Sequence, residues 1–115
     1  MCKMKKGGVI EISVKNEIGT KDAQCKKCGK DWIEHWELNK GRDSGCCRYT
    51  YCEDKETEDM VGAHVVTVPS DGISYILPLC RSCNSKKENL GIFIVDSNDL
   101  CKADECVDDL ERENI

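Results

Sequence analysis

The chain has 115 residues, the length of one small domain. It carries ten cysteines but only one Phe, two Trp and three Tyr, and 34% of its residues are charged. So thin an apolar inventory excludes a core that stands without covalent or metal staples, which is the role the cysteines must fill.

The net charge of −5 is unevenly placed. Residues 96–115 hold eight acids against two bases, and residues 1–95 hold fifteen bases against fourteen acids. Neither part offers the basic face that duplex DNA requires. Met1 to Lys6 is basic, but Gly7-Gly8 follows and Glu11 and Ser13 interrupt Val9 to Val14. No secretory leader and no membrane span are read there, so a cytoplasmic location is expected. In that compartment thiols stay reduced, and paired cysteines favour zinc over disulfides.

In chain order, Val9 to Val14 is a short β-rich run, expected to pair with a later strand such as Ile92 to Val95. Cys25-Lys26-Lys27-Cys28-Gly29 has the pattern of a zinc knuckle. Asp31 to Leu38 reads as a helix with Trp32, His35 and Trp36 on one face. A second cysteine cluster, Cys46, Cys47 and Cys52, follows. Ala63 to Val68 and Ser74 to Leu77, separated by the turn residues Pro69 to Gly72, predict a β-hairpin. Cys80-x-x-Cys83 comes directly after it, then a short helix over 85–89 with Asn84 as its cap. Ile92 to Val95 is a last strand, and one helical turn is expected within 103–110.

Zinc takes four ligands at tetrahedral positions, commonly as two cysteine pairs from separate elements. Cys80 and Cys83 are one pair. Their partners are Cys47 and Cys52, with Cys25 and Cys28 as the alternative. If Cys47 and Cys52 are used, Cys25 and Cys28 need further ligands from His35, His64, Cys101, Cys106 or Cys46. One zinc is expected, or two if that second site forms. Cys2 and Cys46 read as spare thiols.

The order knuckle, β-hairpin, Cys-x-x-Cys at a helix start resembles a treble-clef zinc finger over about residues 46–90. The expected fold is a small α+β zinc-stapled domain over residues 1–95 with a treble-clef core, followed by an acidic segment, 96–115. Gly62-Ala63-His64-Val65 with Ile76-Leu77-Pro78-Leu79-Cys80-Arg81-Ser82-Cys83-Asn84 resembles the HNH endonuclease-like branch of treble-clef proteins. Trp32-Ile33-Glu34-His35-Trp36 is similar to a stretch found in a group of small bacterial proteins with the same later motifs.

The resemblance to HNH enzymes implies His64 as a general base and Asn84 as the helix member of the site. It departs from that pattern at Ala63, which stands where a metal ligand is usual, and at Tyr75 to Leu77, which holds no amide. Metal-assisted phosphodiester cleavage needs a firmly held cation. The primary expectation is therefore a non-catalytic zinc module that recognises a protein or nucleic acid; an HNH-type nuclease is the alternative. A thiol-redox role for Cys25 and Cys28 would need a βαβ setting that the chain does not offer. Any nucleic-acid contact would fall on Lys26, Lys27, Lys30, Arg81, Lys86 and Lys87.

Overall fold

The computed structural model describes residues 10–17, 24–25, 27–52, 59–85 and 91–106. The described chain forms a five-stranded, wholly antiparallel sheet with two helices, an α+β arrangement. The strands are β1 (Glu11–Asn16), β2 (Met60–Thr67), β3 (Tyr75–Cys80), β4 (Phe93–Asp96) and β5 (Cys101–Lys102), in the spatial order β4-β1-β2-β3-β5. Helix α1 spans Trp32–Lys40 and α2 spans Arg81–Ser85.

The expected pairing of the first and last apolar runs is found: Val14 lies opposite Phe93 and Glu11 opposite Asp96. The predicted hairpin is β2 and β3, from Met60↔Cys80 to Val65↔Tyr75. It runs further toward the cysteines than its apolar core suggested. Helix α2 is already formed at Arg81–Ser85, so Asn84 sits inside it and does not cap it; the rest of the helix expected over 85–89 lies outside the described residues. Residues 86–90 and 107–115 fall outside the described residues, as does most of the expected helical turn after Ala103.

Alternation along β2 buries Ala63, Val65 and Thr67, the period-2 pattern of a strand with one face in the core. Ala63 and Val65 pack with Val14, Leu77, Leu79, Phe93 and Val95. On the opposite face, Ile76 of β3 packs with Trp36 of α1 and Cys101 of β5. The middle of β3 is therefore buried from both sides, and its near-continuous apolar run Ile76 to Leu79 reflects that.

Helix α1 begins where the Asp31 side chain accepts the Glu34 N–H at 3.0 Å. It ends at Gly41, whose left-handed φ of 67° lets its N–H reach the Glu37 carbonyl. Its first turn lies directly on β2 at Gly62. A Cβ at Gly62 would stand 2.4 Å from the Trp32 carbonyl carbon and 2.7 Å from the Ile33 nitrogen, both backbone atoms. Gly62→Ala must lift α1 from the sheet, at a cost of about 1–3 kcal/mol or more. A lower midpoint in urea unfolding is the expected result; an unchanged midpoint would show that α1 does not seat there.

Segments outside the predicted hairpin also enter the sheet. The acidic C-terminal segment contributes a 3-10 turn (Ser97–Asp99) and then β5, which pairs with β3 at Tyr75↔Lys102 and Ile76↔Cys101. The Asp99 side chain receives Arg42 at 2.7 Å and Arg48 at 3.1 Å. Both guanidinium groups also lie over the Trp36 ring, whose indole N–H donates to the Asp99 carbonyl at 2.8 Å. This cross-tie joins α1, the loop around Cys47 and the C-terminal segment.

Candidate metal centres

Among the described residues, eight side chains gather into two four-membered groups, each with its ligand atoms within 4.8 Å of one another. One group is Cys25, Cys28, His35 and Cys106; the other is Cys47, Cys52, Cys80 and Cys83. All seven of these cysteines are free thiols. Either group could hold a metal ion.

The three-cysteine group is built on a turn. Gly29 takes φ 72° and its N–H donates to the Cys25 carbonyl at 2.8 Å, while the Cys25 N–H donates to the Lys30 carbonyl. That fold-back aims Cys25 and Cys28 at α1, where the fully buried His35 supplies Nδ1. Nδ1 stands 3.8 Å from Cys28 Sγ and 3.5 Å from Cys106 Sγ. The other ring nitrogen, Nε2, lies 3.1 Å from the Lys102 carbonyl. A carbonyl can only accept, so this contact places the proton on Nε2 and leaves the Nδ1 lone pair for a metal. The ring also meets Trp32 edge-on at 5.2 Å, so packing and ligation share one side chain.

The four-cysteine group joins the loop before β2 to the end of the hairpin. Arg48 N–H donates to the Pro78 carbonyl at 2.9 Å, which fixes Cys47 against β3. Cys52 N–H reaches back to Tyr49, and Cys52 Sγ lies 3.8 Å from Cys80 Sγ. Cys80 ends β3, and the Cys83 N–H points at its sulfur at 3.4 Å.

In each group one thiol is held below its ordinary value. Burial would raise Cys80, but the Cys83 N–H and the thiols of Cys83, Cys52 and Cys47 hold it below the ordinary thiol value. Burial likewise works against Cys25, and the N–H groups of Cys28 and Lys27 with the Cys106 thiol hold it low. Cys47 and Cys106 move the other way. Burial pushes Cys47 up to about 11, and burial with the adjacent Cys25 and Cys28 pushes Cys106 up to about 12. Metal binding needs these as thiolates, so uptake at neutral pH is expected to release protons and to weaken as pH falls. Calorimetry in two buffers of different ionisation enthalpy measures the release; uptake without it would contradict the ligand sets.

The other candidate residues lie elsewhere. Cys101 is buried against Trp36 and Ile76 and joins neither group; burial pushes its thiol up to about 11. Cys46, read as a spare thiol, is disulfide-bonded, and it too joins neither group. His64 also stands outside both, its ring edge-on to Trp32 at 4.6 Å. Ala63 before it faces the opposite core, and Asn84 is half-buried on α2. Arg81 is paired with Asp59 at 3.0 Å, and Lys27 donates to the Asp104 carbonyl. Lys30 is half-buried; Cys2, Lys26, Lys86 and Lys87 lie outside the described residues. The Lys102 carbonyl, which orients His35, left no trace in the sequence because any residue supplies a carbonyl.

No protein-family model, curated protein or solved structure matches the chain. No helix among the described residues is long and apolar enough to cross a membrane.

Proposed function

We propose that the chain is a zinc protein with two structural centres, a treble-clef module whose role is to bind a partner rather than to catalyse. The observation that carries this reading is the sorting of eight side chains into two compact four-ligand sets. Thiolate and imidazole ligands in fours, with no carboxylate among them, favour zinc over magnesium or calcium. A tetrahedral zinc with sulfur at about 2.3 Å sets sulfurs about 3.8 Å apart. The Cys52–Cys80 separation of 3.8 Å agrees with that spacing. Full sets of four protein ligands are the mark of structural sites, since catalytic zinc keeps a position open.

The treble-clef assignment is supported by the order of parts: Cys47 and Cys52 before the hairpin, β2 and β3, then Cys80 and Cys83 across the start of α2. A protein partner fits better than a nucleic acid. The net charge is −5, and two of the three described candidate cations, Arg81 and Lys27, are already engaged. Ile10, Ile92, Ile94 and Tyr51 are large apolar side chains at the surface.

The HNH-like nuclease reading keeps His64 as its base and shares the hairpin. It lacks a ligand beside that base, because Ala63 is buried in the core. Incubation with plasmid DNA and Mg²⁺, Mn²⁺ or Ni²⁺ separates the two readings. Intact plasmid is the expected result; cleavage by the wild type that His64→Ala abolishes would overturn the non-catalytic reading. Cobalt substitution tests the centres: two equivalents with thiolate charge-transfer bands are expected, and a colourless, metal-free chain would refute them.

A further inference from the structure

We infer that the chain pairs with a second copy of itself through the face of β1 and β4 that α1 leaves open. The inference rests on the protein-partner reading above and names that partner.

Strand alternation defines this face. Val14, Phe93 and Val95 turn into the core on one side of the sheet. Glu11, Ser13 and Lys15 of β1 therefore turn to the other side, with Ile94 of β4 opposite Ser13. Helix α1 lies on that same side, over β2, β3 and β5. The described helices leave β1 and β4 open there: Ile94 is 50% exposed, and Ile92, two residues earlier, is 57% exposed. The edge of β4 is a poorer docking line than its face. Thr50 Oγ1 donates to the Ile94 carbonyl at 2.8 Å, so an acceptor that an added strand would need is already engaged.

The charge pattern selects a second copy as the occupant. Glu11 and Lys15 stand two residues to either side of Ser13, on one strand and one face. Both are exposed, and among the described residues neither forms an ion pair. An isologous contact needs a surface that is complementary to itself. Opposite charges at equal distances from a common centre meet that need. A two-fold axis crossing the strands at Ser13 sets Lys15 of each copy over Glu11 of the other, and Ile94 over Ile94. Asp96, opposite Glu11 on β4, places a second acid at the end that receives the lysine. Facing sheets stack about 10 Å apart, a gap that side chains from both inner faces fill. Two strands bury a small area, so the dimer is a weak, exchanging one.

Sedimentation equilibrium of the full zinc-loaded chain tests this, with circular dichroism and zinc content showing that each variant is folded. The wild type is expected to pass from one chain to two between about 1 µM and about 1 mM. Ile94→Lys is expected to stay monomeric over that range. Glu11→Lys and Lys15→Glu are each expected to weaken association about tenfold, because each sets like charges opposite one another on both sides of the axis. The chain carrying both reversals is expected to recover the wild-type dimer, and an equal mixture of the two single variants to form mixed dimers. A wild type that stays monomeric, a dimer indifferent to Ile94→Lys or to the single reversals, or a double reversal that recovers nothing overturns the inference and leaves the zinc and protein-partner readings intact. Plasmid cleavage that His64→Ala abolishes removes the protein-partner reading instead, and this inference with it.

Discussion

Cys80→Ser is expected to abolish the folded sheet at room temperature. Cys80 ends β3, is 3% exposed and receives the Cys83 N–H. Its serine replacement offers a shorter, harder oxygen that zinc ligates poorly. The core on that side of the sheet has ten buried residues, and three of them, Cys47, Cys80 and Cys83, belong to the four-cysteine group. Structural zinc supplies about 10–16 kcal/mol in small finger peptides, as much as the roughly 5–15 kcal/mol that holds a whole domain folded. Losing one such centre therefore removes the margin. Circular dichroism is expected to report an unfolded chain that added zinc does not restore. Cys101→Ser is the control: that thiol is also buried but joins neither ligand group. It is expected to fold and to keep both metals. A folded Cys80→Ser chain with an unchanged midpoint would show that the core stands without that centre.

Trp36→Ala is expected to cost about 3–5 kcal/mol, the range for emptying a large aromatic site. The ring is fully buried and forms one side of the cluster with Ile76 and Cys101. Its removal also leaves the Asp99 carbonyl without its indole donor and takes the platform from beneath Arg42 and Arg48. An orphaned buried acceptor adds about 1–3 kcal/mol. His35 is the adjacent residue on α1, so the three-cysteine centre should bind metal more weakly in the same variant. Trp36→Phe keeps most of the volume and should lose chiefly the hydrogen bond, about 1–3 kcal/mol. Urea unfolding of the metal-loaded chains measures both. Equal, small losses for Ala and Phe would mean that the cross-tie to Asp99, not the ring, carries the packing.

Local chemistry was legible in the sequence wherever one segment contained its own instructions. The run Asp31 to Leu38 read as the helix found at Trp32–Lys40, and the spacing of Trp32, His35 and Trp36 marked its inner face. The turn residues Pro69 to Gly72 between two strand-like runs marked the hairpin. The grouping of cysteines was less legible, because it depends on which segments meet. Cys25 and Cys106 are 81 residues apart and meet only because β5 returns beside β3 and brings the C-terminal segment past α1. An acidic composition set 96–115 apart from the domain expected over 1–95. It hid the fact that Asp99 is held by two arginines and that Cys106 enters a cluster. Cys101 and Cys106 looked alike in sequence. Five residues along a strand and its turn send one thiol into the core and the other to His35. The role of His35 was ambiguous for a different reason, since its ring both packs on Trp32 and presents Nδ1 to three sulfurs.

Native mass spectrometry of the purified full chain tests the two-centre account most directly, because one spectrum reads bound metal and thiol oxidation together. The account predicts a folded species carrying two zinc ions per chain, with the seven clustered thiols unoxidised. A folded species with no metal, or with those thiols paired as disulfides, would contradict it.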